Sequence, residues 1–181
     1  IVLLKLGYAL LDNGKAEHAI QTWEQALQLF RDQSKRAYEG QVLGGLGTAY
    51  GELDQWSEAI SYTTSALHIA REVGNKEEEA LQLSRLGYAS VQAEQLGQAV
   101  TRYRQALHLA YEDGNRETIV SSIIELVRLL MRSTRHLSIA QLLIEDAAQL
   151  EPTDREVKSL KDRITSEMLI EDANAVQQKT V

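Results

Sequence analysis

Chemistry needs groups that converge, and the stretch GQVLGGLGTAYGEL, residues 40–53, is where this chain concentrates unusual backbone. Five glycines fall between residues 40 and 51, and Gly45-x-Gly47-x-x-x-Gly51 has the look of a phosphate-cradling loop. Such a loop presents backbone N–H groups to an anion at the start of a helix. A dinucleotide fingerprint also needs a strand before the glycines and a helix opening after them. Residues 35–43, KRAYEGQVL, show no strand pattern. The remaining candidates converge no better. The four histidines are His18, His68, His108 and His136, and His68 and His108 stand 40 residues apart. No HExxH, EF-hand, GxSxG or Walker pattern is present. Glu77, Glu78 and Glu79 read as the solvated first turn of a helix, where the dipole favours carboxylates. No nucleophile, base or metal set can be named, so the chain is expected to be no enzyme and to hold no cofactor and no metal.

The composition agrees. The chain has 181 residues, 44% hydrophobic and 25% charged, with one proline. That balance is ordinary for a globular chain, and the scarcity of proline favours long helices. A formal net charge of −7 offers no electrostatic footprint for nucleic acid or anionic lipid. With no cysteine, disulfides and thiolate metal sites are excluded. No run of about 18 apolar residues and no targeting segment is visible, so a cytoplasmic setting is expected. The chain opens on IVLLKLGYALL without a methionine. A helix so apolar at its start packs on something, so upstream sequence is expected.

The elements repeat. Leu6-Gly7-Tyr8-Ala9 returns as Leu46-Gly47-Thr48-Ala49 and as Leu86-Gly87-Tyr88-Ala89, at an offset of 40. Ala19-Ile20, Ala59-Ile60 and Ala99-Val100 follow at the same offset, as do Ala26-Leu27, Ala66-Leu67 and Ala106-Leu107. Each unit reads as two helices. Val42, Leu43, Leu46, Tyr50 and Leu53 fall at helical spacing, a break follows at Asp54, and Ala59, Ile60, Ala66, Leu67, Ile69 and Ala70 form a second face. Gly74 suits the left-handed residue that ends a helix, and Asn75 suits the cap of the next. No alternating β pattern occurs, so the chain is all-α.

Paired helices with small residues in fixed columns resemble tetratricopeptide repeats. The first-helix signature is carried by Leu3, Leu6-Gly7 and Leu10; by Leu43, Leu46-Gly47 and Tyr50; and by Leu83, Leu86-Gly87 and Ser90. The second-helix signature is carried by Ala19, Trp23 and Ala26; by Ala59, Thr63 and Ala66; and by Ala99, Tyr103 and Ala106. Thr63 and Ser90 depart from it. A fourth unit keeps Ile123, Leu126 and Leu130, puts Val127 in the glycine column, and shifts its second helix onto Ala140, Ile144 and Ala147. The 40-residue period, longer than the usual 34, and the Gly-Asn joints are similar to repeats of kinesin light chains, spindle-orientation adaptors and bacterial regulators. The resemblance implies a right-handed α-solenoid of helix-turn-helix repeats. Four repeats would span residues 1–33, 34–73, 74–113 and 114–152. Val157, Leu160, Ile164 and Met168 then mark a capping helix over 153–170, and 171–181 reads as a frayed polar tail.

In this fold the first helices line a concave groove, and the resemblance implies that partners bind there. The groove columns are Leu4, Gly44, Ser84 and Ile124; then Tyr8, Thr48, Tyr88 and Arg128; then Leu11, Gly51, Val91 and Met131. Arg85 and Arg132 lie at or beside the same face. Gly40, Gly44, Gly47 and Gly51 fall within about 60° on a helical wheel. Gly47 lets the second helix approach. The other glycines either relieve crowding between helices or leave a notch for a ligand. The family's chaperone-clamping subset uses lysines and asparagines where this chain has Leu4, Tyr8, Gly45, Leu81 and Arg85. Only Arg85 fits, so that partner is not carried over. The expected function is a non-catalytic adaptor binding a peptide segment of a partner, apolar plus acidic. The alternative is a self-associating structural, sensor or assembly-factor array within a larger regulator.

Overall fold

The computed structural model describes residues 1–132 and 137–179, with side chains described through residue 171. Within them the chain forms α1 (Val2–Asp12), α2 (Ala16–Asp32), α3 (Arg36–Glu52), α4 (Trp56–Glu72), α5 (Lys76–Gln92), α6 (Leu96–Asp113), α7 (Arg116–Leu130), α8 (Leu137–Leu150) and α9 (Arg155–Lys179). No strand occurs among the described residues. The fold class is all-α, built from helix pairs of tetratricopeptide type, as the repeats predict. His136 lies outside the described residues.

The 40-residue period has a plain physical origin. Helices α2, α3, α4 and α5 each have 17 residues. A three-residue turn follows each, and a left-handed residue stands at Gly14, Ser34, Asp54, Gly74, Glu94 and Gly114, every 20 residues. In each turn the next backbone N–H reaches back to the preceding helix: Lys15 to Leu10 O, Lys35 to Phe30 O, Gln55 to Tyr50 O, Asn75 to Ala70 O, Gln95 to Ser90 O and Asn115 to Ala110 O, at 2.8–3.0 Å. This is the left-handed helix stop that satisfies a last-turn carbonyl. Asn75 and Asn115 then cap α5 and α7, their Oδ1 atoms accepting from Glu78 N and Thr118 N at 3.0 Å.

The described residues divide into two compact units, Ile1–Leu109 and the chain from Ala110 onward. In the first, the alanine columns do what their size dictates. Ala19, Ala26, Ala59, Ala66, Ala99 and Ala106 are all buried. The Leu-Gly glycines face the central residue of the paired helix, aromatic in two of the three pairs. A Cβ on Gly7 would lie 2.2 Å from Trp23 Nε1, on Gly47 2.2 Å from Thr63 Oγ1, and on Gly87 2.8 Å from the Tyr103 ring. Trp23 is fully buried and donates its indole N–H to Leu4 O at 3.1 Å.

Ionic clasps recur at the joints. Buried Glu39, early in α3, accepts from Arg31 of α2 at 2.9 Å and from Arg36 at 2.7 Å. Buried Glu79, early in α5, accepts from Arg71 of α4 at 2.9 Å and from Lys76 at 3.3 Å. Arg36 also grips Glu72 at 3.0 and 2.5 Å. Burial alone would raise the Glu39 and Glu79 pKa values, but hydrogen bonds from Arg31 and Arg36, and from Arg71 and Lys76, hold both below the usual carboxylate range.

In the second unit α7 packs on α8, and α9 packs on both. Ile123, Leu126, Val127, Ala140, Ile144 and Ala147 are buried, with Val157 and Ile164 of α9 laid against them. Asp154 caps α9, accepting from Glu156 N at 2.8 Å and Val157 N at 3.0 Å. The helix runs to Lys179. That corrects the sequence reading, which ends it near residue 170. The later stretch has little apolar content, which hid its helical character.

The candidate interaction face

Helix α3 packs on α1 and on α5, so the three first helices of unit one stand side by side. Their groove columns part company. Leu4 and Gly44 are buried, and Ser84 is partly buried. This corrects Leu4 as an open groove anchor: its side chain joins the core around Trp23. The next column faces outward, with Tyr8 and Thr48 partly buried and Tyr88 50% exposed. Leu11 and Gly51 are partly buried.

The glycine stripe is not a bare notch. A Cβ on Gly40 would meet Ile69 at 2.9 Å, and one on Gly45 would meet Trp23 at 2.8 Å. At Gly44 it would lie 2.6 Å from Gln82 Nε2, 3.0 Å from Gln82 Oε1 and 2.8 Å from Arg85 Nη1. At Gly51 the Trp56 ring stands 3.2 Å away. The space between Tyr8 and Tyr88 is therefore furnished by neighbouring side chains. Trp56 meets Tyr88 edge to face at 5.9 Å, and Tyr8 meets Trp23 in the same manner at 5.0 Å.

Over Gly44 sits a polar cluster that column reading did not assemble. Gln82 is fully buried, and its Nε2 donates to Glu78 Oε1 at 2.6 Å. Its Oε1 has no partner, nor does Nη1 of the partly exposed Arg85. The Tyr8 hydroxyl donates to Gln41 O at 3.3 Å. Burial pushes the Tyr8 phenol up, the Arg85 charge beside it and a hydrogen bond from that guanidinium pull back, and Glu78 adds to the rise. Sequence reasoning found Tyr8, Gly44 and Arg85 but missed Gln41, Glu78, Gln82 and Trp56. A signal for Gln82 exists: it is polar in a column otherwise holding Val2, Val42 and Ser122.

In unit two, Ile124 is buried and Met131 partly buried. Arg128 is held by Glu125 and Glu156, so its charge is already met. Arg132 is exposed. No group of three or more potential metal ligands occurs among the described residues, and His68 lies on the surface, 3.8 Å from Glu72. No described helix is long and apolar enough to cross a membrane.

Residues 1–72 match the family model of the tetratricopeptide repeat. Residues 1–72 are thus similar to tetratricopeptide repeats, and such repeats are in general non-catalytic scaffolds for protein interaction. Among solved structures, the kinesin light chain-type TPR-like repeats of Podosopora anserina superpose with a TM-score of 0.75 at 19% identity, covering 99% of this chain and 95% of that one. A signal-transduction ATPase with a tetratricopeptide repeat sensor, from Pyrococcus horikoshii, gives 0.76 at 16% identity, covering 86% of this chain and 24% of that one. A Rap protein complexed with competence and sporulation factor gives 0.75 at 14% identity, covering 98% of this chain and 56% of that one. No curated protein sequence matches the chain.

Proposed function

We propose that the first-helix face of unit one binds a peptide segment of a partner protein, apolar plus acidic, and that the chain acts as an adaptor. One observation carries the reading. Arg31, Arg36 and Arg71 each hold a carboxylate. Arg85, three residues before the half-exposed Tyr88, holds none: its guanidinium meets the Tyr8 hydroxyl, and its Nη1 is left without a partner. A guanidinium beside an aromatic ring, with no carboxylate on it, suits a segment with an apolar anchor and a carboxylate. The similar Rap protein, seen in complex with a factor, supports binding by this class of fold. The test is selection of displayed random peptides against the intact chain. Recovered sequences should pair a bulky apolar residue with an acidic one, and should lose binding to Arg85→Gln and Tyr88→Ala variants. Selected peptides without that pairing, or indifferent to both substitutions, would remove the face from the account.

A second reading, a self-associating or sensor array, draws on α1. Val2 is 80% and Leu6 46% exposed, while their counterparts Val42 and Leu46 are fully buried. A second copy would cover that apolar surface, as would the upstream sequence expected before Ile1. Light scattering across concentration tests it: a constant monomer mass excludes it.

A further inference from the structure

The groove between α3 and α5 is filled over Gly44 by Gln82 and Arg85, and it opens one turn earlier. A hollow of about 20 Å³ lies there, floored by Gly40, Ile69 and Ala70. Ile69 and Ala70 are buried, while Ala37 and Val73 stand exposed at the mouth. Gln41, Asn75 and Glu78 form the rim. Small residues keep the hollow open: where α3 has Ala37 and Gly40, α5 carries Glu77 and Ala80. The hollow adjoins the candidate face, because Gln41 O takes the Tyr8 hydroxyl at 3.3 Å.

We propose that this hollow seats one methyl-ended side chain of the bound segment, two residues away from the acidic residue that meets Arg85. The proposal deepens the peptide-binding reading above and rests on it. Size decides first. A volume of about 20 Å³ holds one group the size of a water, and an aromatic ring is far too large. Chemistry decides next. The floor is carbon, and a held water needs several polar partners. Two rim acceptors are already engaged: Asn75 Oδ1 takes Glu78 N at 3.0 Å, and Glu78 Oε1 takes Gln82 Nε2 at 2.6 Å. A carboxylate would face Glu78. An ammonium would give up its water against the apolar floor. A methyl group gives up nothing there and buries apolar surface.

The spacing follows from the helix. Gly44, with the Arg85 guanidinium over it, lies about 6 Å along α3 from Gly40. An extended chain sets residues two apart on one side, about 6.6 Å from each other. Tyr88, in the column of Thr48, stands one turn further on. A segment of the form Val-x-Asp-x-Leu thus puts its valine in the hollow, its carboxylate at Arg85 and its leucine against Tyr88.

The test titrates labelled intact protein with N-acetylated, C-amidated Val-Gly-Asp-Gly-Leu, and with forms carrying Gly, Phe or Lys in place of Val. Nuclear magnetic resonance follows the methyl groups of Ala37, Ile69, Ala70 and Val73 in the hollow, and Arg85 Nε and the Tyr88 ring beyond it. The Val peptide should move both sets. The Gly peptide should move Arg85 and Tyr88 alone and bind about fourfold more weakly, as one buried methyl group is worth. The Phe and Lys peptides should bind no better than the Gly peptide. Movement of Arg85 and Tyr88 with the hollow methyls still, under the Val peptide, overturns the subsite and leaves the groove reading standing. A Phe or Lys peptide that matches the Val peptide does the same. Silence at Arg85 and Tyr88 with every peptide overturns both. Ala37→Leu is the companion variant. A larger side chain at this exposed site closes the mouth, so the melting temperature should hold while the preference for Val over Gly disappears. A preference that survives the substitution would also overturn the subsite.

Discussion

Gly44 shows how far a single position can be read. Its helical phase places it with Gly40, Gly47 and Gly51, and that much is visible in the sequence. What lies over it is not visible, because helical phase cannot say whether a side chain meets solvent or a neighbouring helix. The structure puts Gln82 and Arg85 there, so the crowding alternative describes Gly44 better than the open notch. Leu4 failed for the same reason, since its phase differs from that of Tyr8 by only about 40°. Gln82 was legible as a polar residue where the two preceding repeats hold Val2 and Val42, but its partner Glu78 and its unanswered oxygen were not. Gly44→Leu should therefore destabilise the protein. Overpacking costs about 1–3 kcal/mol, and better helix propensity returns up to about 1 kcal/mol. A net loss in urea denaturation is expected, and a gain would mean that the space over Gly44 is open after all.

The turns and clasps belong to the scale of the element. Glycine was readable at positions 74 and 114, but the turn repeats with non-glycine residues at Ser34, Asp54 and Glu94, whose φ values are 52°, 57° and 59°. A left-handed conformation costs an L-residue about 1–2 kcal/mol, and glycine's extra unfolded-state freedom offsets about 0.5–1 kcal/mol. Glu94→Gly should thus raise stability by about 0.5–1 kcal/mol, read as a higher denaturation midpoint at unchanged slope. An unchanged or lower midpoint would place compensating contacts at Glu94. The clasps set an acid limit. Glu39 and Glu79 have folded pKa values held below the ordinary 4.5. Their contribution is complete above the unfolded carboxylate pKa and is lost as pH falls through the lower folded value. Melting temperature should drop on acidification below about pH 4.5, and Glu39→Gln with Glu79→Gln should flatten that limb. An equally steep limb in the double variant would assign acid sensitivity elsewhere. Neither clasp was anticipated, because Arg31 and Glu39 sit on different helices and meet only once the turn has closed.

At the scale of the molecule, period and column composition disclosed the helix pairs, since small residues at fixed helical phase admit close packing and little else. They disclosed the start of α9 as well, through Val157 and Ile164, both buried against the second unit. Removing residues 153–181 should lower the melting temperature and promote aggregation, because the α7–α8 pair loses its cover. A truncated chain that stays monomeric on size exclusion with an unchanged melt would show that α9 covers nothing essential. The interaction face was less legible, because partner chemistry depends on which polar atoms the fold leaves unanswered. Its most direct test is calorimetric titration of one selected apolar–acidic peptide into the intact protein and three variants, with circular dichroism confirming each fold. Arg85→Gln and Tyr88→Ala should each weaken binding about tenfold, in the range for losing one charged or aromatic contact. Leu29→Ala, at an exposed site on α2, should bind as the parent does. Equal binding by all four proteins, or loss confined to Leu29→Ala, would contradict it.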